Sequence, residues 1–167
     1  MSPAVTDHWK PSASDLANLV YREARLLDTR QYDAWFDLFA EDGRYWVPFS
    51  ADQTDAVGQQ SIIVEDKLLL RIRVERLKNP KVYSQQPAVL CQHVLQAPAV
   101  EEADPAANRY RTRTPFLYTE FRHDEQLTLT GTATHTLRAE GGKLVIVEKR
   151  VDLLNARSAL PGIFLMP

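Results

Sequence analysis

The run Leu127–Arg138 alternates without a break. Its odd positions are Leu127, Leu129, Gly131, Ala133, His135 and Leu137. Its even positions are Thr128, Thr130, Thr132, Thr134, Thr136 and Arg138. A period of two cannot be a helix face, so this is a strand with one side on a core and the other wet. Its neighbours extend it into an antiparallel meander. Arg109–His123 reads as a long strand bent at Pro115. His123–Gln126 and Glu140-Gly141-Gly142 read as hairpin turns, and Leu144–Leu153 as the last strand. Ala88–Glu101 reads as one further strand, followed by a turn over 103–108.

The first half has helical periodicity instead. Ser12 or Ser14 can cap a helix, with the Ser14 side chain taking an orphan N–H. Leu16, Leu19, Val20, Glu23, Leu26 and Leu27 then share a face. Tyr32, Trp35, Phe36 and Phe39 recur at i, i+3, i+4, i+7, with Gly43 as the stop. Arg44–Val47 is a strand closed by Pro48, residues 50–60 are turn-like, and Ser61–Val64 is a short strand. Glu65–Lys78 is read as a helix with Leu68, Leu69, Ile72 and the stem of Arg76 on its buried face. Its acidic start and basic end suit the helix dipole, and Asn79-Pro80 ends it. Helices first and a meander second gives an α+β fold, helices packed on one face of a curved antiparallel sheet. The expected organisation is a tail over 1–12 and a single domain over 13–167, with an apolar end at 160–167.

Composition removes several functions. Among 167 residues, 20 Lys+Arg against 22 Asp+Glu give a net charge of −2, which is poor material for a nucleic-acid surface. No apolar run is long enough to span a membrane, and no leader precedes the first helix, so a cytoplasmic protein is expected. The single Cys excludes an internal disulfide and any four-thiolate cluster.

Chemistry-bearing residues are scattered. Cys91-Gln92-His93 is C-x-H, half of a Rieske motif whose second half needs another Cys. His93, His123, His135 and Glu120 are the types for a two-His-one-carboxylate iron site, but no two share a local motif. Asp33, Asp37, Asp42, Tyr45, Tyr118, Glu120 and His135 are acid–base candidates, His135 foremost because its strand face points at the core. Arg109, Arg111 and Arg113 line one strand face, and Arg71, Arg73 and Arg76 cluster on a second segment. Each row is either a solvated face or a docking surface for an acidic partner.

Three segments together resemble a known family. Glu23-Ala24-Arg25-Leu26-Leu27-Asp28-Thr29-Arg30 through Trp35, Leu38-Phe39 and Tyr45-Trp46-Val47-Pro48 resembles the opening of the small (beta) subunits of aromatic-ring-hydroxylating dioxygenases. Glu65-Asp66-Lys67 with Leu70–Leu77 resembles that family's central segment. Lys149–Asn155 with Leu160-Pro161-Gly162 resembles its ending. The chain departs from it at Cys91–Pro98, where the family often reads a basic strand. The resemblance implies a cone of the nuclear-transport-factor-2 (cystatin-like) type, with the sheet wrapped around N-terminal helices. It implies a structural subunit with no catalytic, cofactor-binding or metal residues of its own. The partner would be a large alpha subunit carrying a Rieske [2Fe–2S] centre and a mononuclear iron, fed by an NADH-dependent reductase. Self-association as a trimer and an alpha3beta3 complex follow. The same cone also serves free-standing dehydratases and isomerases and plain binding modules. Under the enzyme alternative His135, Asp37 and Tyr45 would be the acid–base set.

The last residues, Ile163, Phe164, Leu165 and Met166, are all apolar. Burying them is worth roughly 6–12 kcal/mol gross, and ordering the stretch 160–167 costs roughly 8–16 kcal/mol. Such a segment needs a preformed wall. A neighbouring subunit is the expected wall, which makes these four residues, with Arg109, Arg111 and Arg113, the candidate interface.

Overall fold

The computed structural model describes residues 9–82 and 87–167. Elements follow in the order α1 (Ala13–Asp28), α2 (Tyr32–Phe36), β1 (Phe39–Pro48), β2 (Ser61–Asp66) and α3 (Lys67–Lys78). Then come β3 (Leu90–Leu95), β4 (Ala99–Asp104), β5 (Arg109–Arg122), β6 (Glu125–Glu140) and β7 (Lys143–Leu153). The strands make one sheet in the order β2-β1-β7-β6-β5-β3, with β4 also on β5. All pairings are antiparallel except β1 with β7, which is parallel. The expected α+β class holds, and the purely antiparallel sheet is corrected at that one ladder.

Local chemistry explains the helix ends. Ser12, not Ser14, caps α1: its Oγ accepts from the Asp15 N–H at 3.2 Å, while Asp15 accepts from the Ser12 N–H at 2.7 Å. At the other end Gln31 N–H reaches Leu26 O and Arg30 N–H reaches Leu27 O. Arg30 sits at φ 60, so this is a Schellman ending with a non-glycine residue. The helix α2 stops at Phe36, shorter than its periodicity suggests, because Phe39 already belongs to β1. Gly43 therefore lies inside a strand. It marks the irregularity between Phe39 and Arg44 in the β1–β7 ladder. A Cβ there would stand 2.7 Å from Ala40 O and 2.9 Å from Ile146 O, which is closer than side chains pack.

The helix α3 buries the opposite face from the one its leucines suggest. Leu70, Val74 and Leu77 are inside, while Leu68, Leu69 and Ile72 are exposed. Polar anchors fix this rotation. Asp66 caps the helix through Leu69 N–H. Lys67 Nζ donates to the carbonyls of Phe36 and Phe39, the open end of α2, at 2.9 and 2.6 Å. Arg71 stacks on the Phe36 ring at 3.8 Å, and Arg73 forks onto Glu65.

The expected strand over 88–101 is two strands laid end to end along β5. Leu95 stands opposite Phe116 and Ala99 opposite Arg113. Pro115 falls at the break between them, where no ladder needs its missing N–H, and its carbonyl still accepts from Gln96 N–H at 3.0 Å. Pairing of β5 with β6 runs through Pro115 without a shift. Both hairpins have two-residue turns with positive φ at both central residues, His123-Asp124 and Gly141-Gly142. The alternation on β6 is as read: Leu129, Ala133, His135 and Leu137 are buried, and Thr128 and Thr130 are exposed.

Replacing Gly43 with Ala tests the bulge. Its Cβ meets two main-chain oxygens that cannot rotate away, so we expect a loss of about 1–3 kcal/mol in urea unfolding, with an unchanged m value.

Candidate functional site

The inner face of the sheet and α1 enclose an unusual set of charges. Glu23, 2% exposed, takes the Trp35 indole N–H at 2.7 Å and Lys149 Nζ at 2.9 Å on the same oxygen. Its other oxygen stands 3.5 Å from His135 Nε2. Lys149 is itself 2% exposed and lies over the Tyr45 ring. Burial alone would raise the Glu23 pKa; Lys149, His135 and Trp35 outweigh it and hold the carboxyl well below the usual carboxylate range.

A second cluster joins the end of α1 to β3. The Asp28 carboxylate accepts the backbone N–H of His93 at 3.0 Å and its ring Nδ1 at 2.6 Å. The Cys91 thiol lies 3.6 Å from the same carboxylate. These three are the group closest to a metal-ligand arrangement among the described residues. Its details suit a hydrogen-bonded clasp better. The Nδ1–Oδ1 separation is a direct hydrogen bond, and burial with the adjacent Asp28 pushes the thiol up to about 12.

The segment 160–167 closes the cone. Glu120 is the clamp: Oε1 accepts the Leu165 N–H at 2.7 Å and Tyr118 OH at 2.7 Å, and Oε2 accepts the Phe164 N–H at 3.1 Å. Tyr45 OH donates to the main-chain oxygen of Pro167 at 2.8 Å. Burial, and for Tyr118 the Glu120 carboxylate, raise both tyrosines above their ordinary pKa, so they act as donors. The space left among Glu23, His93, Thr114, His135, Lys149 and Pro167 is about 10 Å³, a single water's worth.

The expected site residues separate. His135 and Tyr45 are inside, but Asp37 is exposed beyond α2, so the acid–base set His135, Asp37 and Tyr45 is not assembled. Asp33 and Asp42 are surface groups paired with Lys78 and Arg138. His123 is exposed in a hairpin turn at the outer groove that Glu120 also borders, while His93 and His135 are buried, and among the described residues these four form no common metal-ligand group. Leu165 and Met166, expected at an interface, are 1% and 0% exposed in this chain's own core. The wall they need is the cone itself, and Phe164, 38% exposed, is the part of the segment still open. Arg109, Arg111 and Arg113 do face outward, but Glu101 and Glu102 of β4 pair with the first two. Sequence reading set Glu23 on the core-facing side of α1 but missed its partner Lys149, 126 residues away. It also missed an outer apolar patch, Leu90 and Val94 of β3 beside Phe121 and Leu117 of β5, all more than two-fifths exposed. Outward positions on neighbouring strands become one patch only once the pairing is known.

Two measurements probe the charge cluster. Glu23→Gln strands the buried Lys149 ammonium, and we expect a loss of about 3–5 kcal/mol at neutral pH. Because the folded pKa of Glu23 lies below its ordinary 4.5, its contribution is complete above that value and is lost as pH falls beneath it. Stability of the native chain should therefore drop on acidification below about 4.5, and the Gln variant should show a shallower decline over the same window.

Comparison with known proteins agrees with this architecture. The family model described as ring hydroxylating beta subunit matches residues 22–158. The small oxygenase component of the p-cumate 2,3-dioxygenase system of Pseudomonas putida is 30% identical over 142 residues, covering 84% of this chain and 78% of that protein. The beta subunit of benzoate 1,2-dioxygenase from Burkholderia mallei superposes with a TM-score of 0.75 at 26% identity, covering 95% of this chain and 99% of that one. An NTF2-like protein with a cystatin-like fold from Novosphingobium aromaticivorans, at 17% identity and TM-score 0.60 over 87% of this chain and 83% of its own, shares the fold alone. With a match that takes in the end of α1, the whole sheet and both interior clusters, this chain belongs to the ring hydroxylating beta subunit family.

Proposed function

We propose that this chain is the non-catalytic structural subunit of a multicomponent aromatic-ring-hydroxylating dioxygenase. The observation that carries the reading is the filled cone. A free-standing enzyme or carrier on this fold needs a cavity of several hundred Å³, and here the last segment and the Glu23–Lys149 pair leave about 10 Å³. The larger concavities are open surface grooves, one between α3 and Phe164, another between Phe164 and the His123 hairpin. Apolar surface is instead spent on the outside, at Leu90, Val94, Leu117 and Phe121 and at Leu68, Leu69 and Ile72. Such patches mark contacts with other chains.

The redox groups would reside in a large alpha subunit. A Rieske cluster needs two cysteines and two histidines, and this chain has one Cys. Among the described residues the group nearest to a metal-ligand set is Asp28, Cys91 and His93, and there Asp28 is hydrogen-bonded to the His93 ring. The alpha subunit would hold both centres and the aromatic substrate, and this chain would set its assembly. We place a beta trimer in a cytoplasmic alpha3beta3 complex. The outer face of β3, β5 and β6 is our candidate for the contact between copies, because it is uncharged around Leu117 and continuous with the threonines of β6. Arg113, opposite Ala99 rather than an acid, stands at its border.

Expressed alone, the chain should be colourless, without stoichiometric iron or zinc by elemental analysis. It should sediment at about 57 kDa, three times the 19.0 kDa chain. Val94→Asp with Leu117→Asp should give monomers with unchanged circular dichroism. Co-expression with an iron–sulfur oxygenase subunit should yield a coloured complex. One iron per isolated chain, lost in His93→Ala, would refute the reading.

A further inference from the structure

The arginine cluster on α3 is almost wholly absorbed by the fold, and one member is left over. Lys67 donates to the carbonyls of Phe36 and Phe39, and Arg71 pairs with Asp33 and Glu75. Arg73 forks onto Glu65, and Lys78 reaches Asp33 and Glu75. Among the described residues, Arg76 is the cation of this helix with neither an ion pair nor a hydrogen bond, and it is exposed.

Its surroundings are apolar. Arg76 lines a groove of about 390 Å³ with Leu69, Ile72 and Leu77 of α3 and with Ile163 and Phe164 of the closing segment. Positions 68, 69, 72 and 76 follow helical spacing, so two leucines, an isoleucine and the guanidinium make one outward stripe. The opposite wall is held in place. Glu120 accepts the Phe164 and Leu165 N–H groups, and Leu165 and Met166 are buried. That fixes the backbone and leaves the Phe164 ring outside, with the Arg122 guanidinium 4.8 Å from its centre. An aromatic ring fixed beforehand loses little freedom when a partner covers it.

These features define an occupant. A small molecule in the groove would leave Leu68, 68% exposed and further along the stripe, uncovered. A chain segment laid along α3 covers both. A guanidinium beside an apolar wall is completed by a carboxylate. A second copy has its candidate contact elsewhere, on the outer face of the sheet. We propose that the groove between α3 and Phe164 docks a segment of the large alpha subunit that carries a carboxylate next to bulky apolar side chains. The carboxylate pairs with Arg76, and the apolar side chains cover Leu69, Ile72 and Phe164. The proposal rests on the assembly reading and adds the chemistry of the partner segment.

The full chain and its variants are titrated against the large iron–sulfur oxygenase subunit of the organism that makes this chain. Arg76→Glu and Phe164→Ala should each weaken the complex about tenfold or more, with the circular dichroism and the mass of the isolated chain unchanged. The Arg76→Glu penalty should shrink on going from about 0.1 M to about 1 M salt, and the Phe164→Ala penalty should persist. Arg76→Lys should be coupled by a carbodiimide to an Asp or Glu of the large subunit. No complex with the native chain overturns the assembly reading and this proposal with it. Native affinity in either variant overturns this proposal alone and leaves the assembly reading standing. A changed mass of the isolated chain in Arg76→Glu would put a second copy in the groove and also overturns it.

Discussion

The Glu23–Lys149 pair is the constraint around which this fold is organised. Glu23 belongs to the first helix and Lys149 to the last strand, and Trp35 of α2 reports to the same carboxylate oxygen. Three elements are thus tied at one atom inside an apolar volume. The pair need not add net stability, because desolvating two charges costs about what their attraction returns. What it supplies is register. Shifting β7 by one residue would turn Lys149 outward and leave the Glu23 charge buried alone, a loss larger than any packing gain. That specification matters at the one parallel ladder, β1 with β7. No hairpin sets its register, and Gly43 permits an irregularity there.

From that tie the interior fills inward. With the cluster fixed, the sheet leaves a mouth that α1 and α3 do not cover, and the chain closes it with its own last residues. Glu120 is suited to the task because a carboxylate accepts several donors at once. It takes two consecutive backbone N–H groups and the Tyr118 hydroxyl. The segment is therefore held by its backbone and packed by its side chains. Extended chain under a carboxylate needs no secondary structure to satisfy its polar groups.

Sequence resolves this molecule unevenly, for physical reasons. The alternation of β6, the positions of both hairpins and the amphipathic α1 are local patterns, and they stand as read, with the turns tightened to His123-Asp124 and Gly141-Gly142. Tertiary contact overrules local pattern elsewhere. The leucines of α3 at 68 and 69 suggest a buried face, yet the rotation follows Lys67 on the α2 carbonyls and Arg73 on Glu65, contacts that no periodicity encodes. Pairing of β1 with β7 joins residues about a hundred apart, and its direction leaves no trace in composition. For the site, His135 and Tyr45 were visible as polar groups at core positions. Asp37 was misplaced because α2 ends at Phe36, which sends the next side chain out. Leu165 and Met166 were legible as needing a wall, but a chain's own sheet and a neighbour's surface make the same demand on four apolar residues.

A filled cone changes what selection on such a chain can act upon. In an enzyme of this fold the inner face carries the chemistry and the outer face is free to vary. Here the inner face is committed to a charge pair, two histidines and the closing segment. The apolar surface that would otherwise line a pocket is found outside, in two places set by different elements. One is the face where Leu90 pairs with Phe121 and Val94 with Leu117. The other is the rotated-out side of α3, where Leu68, Leu69 and Ile72 are exposed and the last two share a groove with Phe164. The first lies on the sheet's outer surface and the second on the helical layer. A ring of identical chains that must also seat a larger partner needs two separate surfaces, because a face consumed by one contact cannot serve the other. The polar anchors that turn α3 away from its most apolar face thus have a purpose beyond the helix. In the proposed trimer they would keep that face available on the outside for the larger subunit.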